Sequence, residues 1–143
     1  MSDHTPTPYV LDTGVLSEIV RGDSDLIGLI QDFDRSGQPM VVPVLAMAGA
    51  LRDHRGAPEA QALLAGLSGF GQVIVAPLDG VDQATDLVDM LIATGLEPWD
   101  AQVAAIANTS VCPILTMDAS IWRACSAALD HPLHTIEVAD PDA

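Results

Sequence analysis

The sequence contains no lysine. Its five basic residues are all arginine and face twenty acidic residues, so the formal net charge is −15. Proteins bind nucleic acids largely by neutralising phosphates with basic side chains, so we expect weak binding to bulk nucleic acid. An acidic surface of this kind favours a basic protein partner. A GC-rich codon bias, which enriches Ala, Gly, Pro, Asp and Arg, explains the missing lysine equally well.

Aromatic residues and cysteines are also scarce. Two Trp, one Tyr and two Phe among 143 residues exclude the RNA-binding modules that stack bases on rows of aromatic rings. The core must therefore be built mainly from Ala, Val, Leu and Ile. The two cysteines, Cys112 and Cys125, lack the spacing of a metal-binding pair, and we expect both to be buried thiols.

Long apolar runs and targeting patterns are missing too. No run approaches the roughly 18 apolar residues that span a bilayer, and the N-terminal residues lack a basic and then apolar pattern. We therefore expect no membrane association and a cytoplasmic location. The length favours one domain over 1–143, with a flexible lead-in at 1–8 and a flexible tail at 139–143.

Short apolar runs alternate with helical patterns along the chain. Strands are predicted at 9–12, 40–42, 73–75, 113–116 and 133–138, with amphipathic helices between them. In the helix at 79–94 the inward residues are expected to be Val81, Ala84, Leu87, Val88 and Leu91. Continuously apolar strands separated by helices predict an α/β fold, a three-layer α/β/α sandwich with a central parallel sheet.

Three aspartates stand at strand ends or helix starts: Asp12, Asp100 and Asp118. The carboxyl ends of parallel strands meet at one sheet edge, where α/β folds place their sites. Carboxylates that converge there need a hard cation such as Mg²⁺ to offset their repulsion. The alternative for each aspartate is a helix N-cap, a position that Asp favours.

Three segments give the chain a resemblance to a known family. Val10–Glu18 is similar to the opening of the PIN-domain family, usually LDTNVLSE, with Gly14 where Asn is common. Trp99–Ala107 resembles its aDAxIAAiA helix, and Pro113–Asp118 resembles its pLlTxD strand end. Within the family, the chain most resembles the VapC-like toxins of bacterial toxin–antitoxin pairs.

The resemblance implies a fold, an activity and partners. It implies parallel strands in the order 3-2-1-4-5 and a single-strand ribonuclease that depends on Mg²⁺ or Mn²⁺. Asp12, Asp100 and Asp118 match three of the family's four catalytic, metal-binding acids, and Thr13 and Thr116 match supporting hydroxyls. The implied partners are a second copy in a homodimer, a basic antitoxin protein and a single-stranded RNA substrate.

The fourth acid of that pattern is missing. Its expected position is Gly49, or Ala48 if the register shifts by one residue. Asp53 lies one turn beyond Gly49 and either supports the site or is a solvated helix end. Gly49→Glu is expected to rebuild the ligand and to favour the helix.

Two hypotheses follow from this departure. The first is a metal-dependent ribonuclease weakened by the loss of one acidic ligand. The second is a catalytically inactive PIN-fold module that acts through protein–protein interaction. A third class, the acidic pockets of phosphatases and response regulators, normally requires a lysine that this chain does not have.

Overall fold

A parallel sheet of five strands forms the centre of the protein. The computed structural model describes residues 6–138, so the predictions for 1–5 and 139–143 fall outside the described residues. The strands are β1 (Tyr9–Leu11), β2 (Met40–Pro43), β3 (Val73–Ala76), β4 (Ile114–Thr116) and β5 (Thr135–Glu137). Their order across the sheet is β3-β2-β1-β4-β5, and every pairing is parallel. The predicted fold class and strand order are confirmed.

Seven helices connect and flank these strands within residues 6–138. They are α1 (Thr13–Val20), α2 (Ser24–Ser36), α3 (Val44–Asp53), α4 (Pro58–Ser68), α5 (Gly80–Thr94), α6 (Pro98–Ser110) and α7 (Ser120–Ser126). None of them is long and apolar enough to cross a membrane.

Local sequence sets several helix ends. The Asp23 carboxylate accepts the backbone N–H groups of Asp25 and Leu26 and so begins α2. Gly37 and Gly95 end α2 and α5 in the left-handed conformation, which glycine adopts without strain. Ser24, a residue type that also favours the N-cap position, is instead the first residue of α2.

The core lies on the two central strands. Val10 and Leu11 of β1 and Ile114 and Leu115 of β4 are almost fully buried, as expected for parallel strands covered on both faces. Helices α1, α3 and α6 pack against one another around this centre. Both cysteines are buried thiols, as the sequence predicted.

The inward face of α5 was predicted correctly for Leu87 and Leu91 but wrongly for Val81, Ala84 and Val88, which are exposed. Val81 and Val88 are 80% and 49% exposed, and the fully buried residue of this helix is Met90. Leu87 and Leu91 pack only partly against the core. Helix α5 packs mainly on α6, so a narrow stripe of its surface is covered and the rest faces solvent.

Candidate functional site

A cleft of about 290 Å³ opens where β1 and β4 end, beside the start of α6 and the end of α3. We call it the acidic cleft. It is lined by Asp12, Thr13, Gly14, Ser17, Asp53, Trp99, Asp100, Thr116, Met117, Asp118, Ile121 and Trp122. The fold thus brings the three predicted aspartates, both predicted threonines and Asp53 to one place.

Asp12 is the most buried carboxylate of the cleft, with 5% of its surface exposed. It follows β1 and caps α1, because its Oδ1 accepts the Val15 N–H at 2.9 Å. Its Oδ2 accepts the indole N–H of Trp122 at 3.0 Å. Burial raises the pKa of Asp12, while the nearby Thr116 hydroxyl and the hydrogen bonds from Val15 and Trp122 oppose that rise. Each carboxylate oxygen of Asp12 therefore accepts one protein hydrogen bond and keeps a lone pair for a further partner.

Asp100 lies in the first turn of α6 and is half-buried. Burial raises its pKa, the Thr13 hydroxyl opposes the rise, and the negative charges of Asp12, Glu97 and Asp53 add to it. The Thr13 hydroxyl lies close enough to affect the pKa of the Asp100 carboxyl but does not form a hydrogen bond with it. The buried Thr13 Oγ1 has no hydrogen-bond partner within residues 6–138. The N-cap of α6 is Glu97, so capping does not account for Asp100.

Asp118 is exposed, and its carboxylate turns toward the start of α7. Its Oδ1 accepts the Ser120 N–H at 2.9 Å. The backbone N–H and the hydroxyl of Ser120 lower the pKa of Asp118 by stabilising its charged form. The Thr116 hydroxyl donates to the Asp118 carbonyl oxygen at 3.1 Å and accepts its N–H at 3.2 Å. These local bonds give Asp118 and Thr116 a structural role in the turn.

The sequence analysis did not identify Ser17 as a cleft residue, nor the hydrogen bond between Trp122 and Asp12. The Ser17 hydroxyl lies 3.4 Å from Asp53 Oδ2 and joins α1 to the end of α3. Ser17 follows Thr13 by one helical turn, a spacing that would have identified it. The indole N–H bond of Trp122 to Asp12 spans 110 positions of sequence, and no local pattern predicts it.

The carboxylates of the cleft lie near one another but not in the arrangement of a three-ligand metal site. Among residues 6–138, no group of three or more Asp, Glu, His or Cys residues is arranged to hold a metal ion. Both oxygens of Asp12 accept protein hydrogen bonds, and Asp118 is held by Ser120. The predicted Mg²⁺ or Mn²⁺ remains a prediction.

Gly49, the expected position of the fourth acid, is buried beside the cleft against Trp99. A Cβ at this position would lie 2.8 Å from Trp99 Cγ, 3.0 Å from Thr13 Cγ2 and 3.1 Å from Trp99 Cβ. These separations are below normal van der Waals contact, so any side chain here requires Trp99 to move. The expectation that Gly49→Glu favours the helix is therefore wrong for the present packing.

No protein-family model and no curated protein matches the chain. Solved structures do match it. A VapBC2 complex from Rickettsia felis, bound to a DNA fragment from its promoter, has a TM-score of 0.63 at 11% identity, covering 90% of this chain and 98% of its own. A toxin–antitoxin complex from Klebsiella pneumoniae has a TM-score of 0.54 at 18% identity over 80% and 89%. PAE2754 from Pyrobaculum aerophilum has a TM-score of 0.56 at 15% identity over 92% and 88%. At these identities the likeness shows the fold, and the chain has the PIN-like α/β fold that such toxin–antitoxin structures contain.

Proposed function

We propose that this PIN-like protein acts by binding a basic protein partner, of the kind that an antitoxin is. The observation that carries the proposal is the acidic cleft, which brings carboxylates together without arranging them as metal ligands. The net charge of −15 supports it, because such a surface repels RNA and attracts Arg-rich or Lys-rich segments. Two structures of similar fold are toxin–antitoxin complexes.

An apolar groove between α1, α2 and α4 is the surface that best suits this partner. We call it the α2–α4 groove. It has a volume of about 190 Å³ and is lined by Ile19, Ile27, Ile30, Gln31, Ala62, Leu63, Gly66, Leu67 and Phe70. The exposed Glu59 precedes Ala62 and Leu63 by about one turn of α4 and so lies on the groove side of that helix. An apolar groove with an acidic border fits an amphipathic helix whose polar face is basic.

Two glycines provide a matched test of the groove. Gly66 lines the groove and Gly28 does not, and a Cβ at either position meets nothing within 4 Å. Gly66→Gln and Gly28→Gln should both fold, because each replaces a helical glycine by a better helix former. Only Gly66→Gln fills the groove.

The probe is a synthetic helical peptide with leucines on one face and arginines on the opposite face. Its binding to the protein is measured by fluorescence anisotropy. We expect Gly66→Gln to weaken binding by about tenfold or more, a change of about 1.4 kcal/mol, and Gly28→Gln to leave it unchanged. An equal effect of the two variants, or no binding by the wild type at low salt, would contradict the proposal.

A second candidate is the weakened Mg²⁺- or Mn²⁺-dependent single-strand ribonuclease, with Asp12, Asp100 and Asp118 as its catalytic residues. This candidate is favoured by the fact that all three aspartates line the same cleft. Its test is cleavage of single-stranded RNA in millimolar Mn²⁺. A rate that Asp100→Asn abolishes would establish this candidate and overturn the first.

We also propose that two copies associate through the exposed face of α5. Val81, Val88 and Ile92 form an apolar stripe on this helix. The stripe lies beside Asp82, Asp86 and Asp89, whose repulsion should make the dimer dependent on salt. Sedimentation at low and high ionic strength tests this, and a monomer that is unchanged at high salt would contradict it.

A further inference from the structure

We infer that the Trp99 side chain keeps position 49 free of any side chain, and that replacing Trp99 together with Gly49 lets a glutamate at this position complete a cation site in the acidic cleft. The indole occupies the space through which a side chain at position 49 would enter the cleft. This inference concerns the cleft alone, and it stands or falls independently of the partner proposed for the α2–α4 groove.

Position 49 is enclosed from two directions. Trp99, on α6, contributes its Cβ and Cγ at 3.1 Å and 2.8 Å from the place of an added Cβ. These atoms form the root of the side chain, so rotation of the ring does not carry the Cβ away. Thr13, on α1, closes the other direction with its Cγ2 at 3.0 Å. Glycine is therefore the residue that fits between α1 and α6 at this point of α3.

Arg52 holds the indole in this place. Its guanidinium carbon lies 5.0 Å from the centre of the Trp99 ring, within the range of a cation–π contact. Arg52 follows Gly49 by three residues, so both lie on the same side of α3. The Trp99 ring thus packs against α3, between Gly49 and Arg52.

Oxygen atoms near position 49 could serve as metal ligands, and a carboxylate at this position would complete the set. Thr13 is 8% exposed, and its Oγ1 has no hydrogen-bond partner within residues 6–138. Asp12 and Asp100 line the same cleft as Thr13. A glutamate entering beside Thr13 would bring a third carboxylate to two existing ones, and hard divalent cations bind such oxygen sets.

The packing step is tested by comparing one substitution in two backgrounds. In the wild-type background, Gly49→Ala should lower the midpoint of thermal unfolding, because its Cβ collides with Trp99 Cγ at 2.8 Å. In the Trp99→Ala background the loss should be smaller, because the Cγ is removed while the contacts of 3.1 Å to the Cβ at position 99 and 3.0 Å to Thr13 Cγ2 remain. An equal or larger loss in the Trp99→Ala background would overturn the inference, whether or not any glutamate variant folds.

The cation step is tested by thermal unfolding with and without 5 mM Mn²⁺, a probe of ligand-linked stability that needs no activity. The midpoint of thermal unfolding of the double variant Gly49→Glu/Trp99→Ala should rise by at least about 2 °C when the ion is added. The control Gly49→Gln/Trp99→Ala has the same bulk without the carboxylate, and its midpoint should not change, like that of the wild type.

Three results would overturn the inference. The first is a Gly49→Glu single variant that gains from Mn²⁺ with Trp99 in place. The second is a folded double variant that does not gain. The third is a wild-type gain that Asp100→Asn removes.

Discussion

The carboxylates of the acidic cleft are held by different partners, and these partners determine what each residue does. Asp12 is buried, caps α1 and accepts the Trp122 indole N–H. Asp118 is exposed and is held by the turn that leads into α7. Asp100 is half-buried near other negative charges and lacks a compensating partner of this kind. Among residues 6–138, Asp100 is thus the carboxylate of the three whose pKa is raised both by burial and by neighbouring negative charges.

We expect Asp100→Asn to raise the midpoint of thermal unfolding at pH 7. The pKa of Asp100 is raised in the folded protein, first by burial, so its charged form destabilises the fold above that pKa. As pH falls through the folded-state pKa toward the ordinary pKa of an aspartate, 3.8, the carboxyl protonates and the difference in midpoint between wild type and variant should disappear. Differential scanning calorimetry from pH 7 to pH 4 measures this. A lower midpoint for Asp100→Asn at pH 7 would show that its charge is stabilising.

Trp122→Phe should destabilise the protein by about 2–4 kcal/mol, because the buried Asp12 carboxylate loses a donor and the smaller ring leaves a gap. Trp99→Phe is the matched control, since Trp99 is partly exposed. It should cost less than about 1.5 kcal/mol. Urea unfolding gives both values, and similar costs for the two variants would contradict the role assigned to the Trp122–Asp12 bond.

At the scale of elements, the sequence predicts the strands and helix ends well because their determinants are local. Apolar runs predicted five strands, and Gly95 predicted the end of α5. The outward face of α5 was not predictable, because it depends on which helices cover the sheet. The contact between Gly49 and Trp99 was equally hidden, since it joins residues 50 positions apart on α3 and α6. Packing between elements, rather than local pattern, determines what the cleft can hold.

The start of α3 depends on α6 in a way that can be measured. Pro43 provides no side-chain cap, and the buried Gln102 Oε1 of α6 accepts the Leu45 N–H at 2.7 Å. Gln102→Met should cost about 1–3 kcal/mol, because it leaves that donor without a partner. Gln83→Met removes a bond of equal length at the exposed start of α5 and should cost less than about 1 kcal/mol. Equal costs in urea unfolding would show that burial does not matter here.

At the scale of the whole molecule, the charge determines what the surface attracts. A net charge of −15 opposes association with any polyanion. The same charge favours partners rich in arginine, and the α2–α4 groove provides an apolar surface to which they can bind.

We therefore expect weak binding to unstructured single-stranded RNA at physiological salt, with a dissociation constant above about 100 μM, in the range of non-specific binding or weaker. Fluorescence anisotropy with a labelled RNA measures it. The arginine-rich peptide serves as the positive control on the same protein preparation. Tight RNA binding would show that the few arginines form a local binding surface despite the overall charge.

The central proposal is that the acidic cleft, as the wild-type chain folds it, does not hold a divalent cation. The most direct test is a titration with Mn²⁺ at pH 7.5, in which electron paramagnetic resonance counts the free ion. Asp86→Asn, a change on the exposed surface of α5, controls for diffuse binding by the acidic surface. We predict that Asp100→Asn changes the titration no more than Asp86→Asn does. One bound ion per chain that is lost with Asp100→Asn and kept with Asp86→Asn would contradict the proposal.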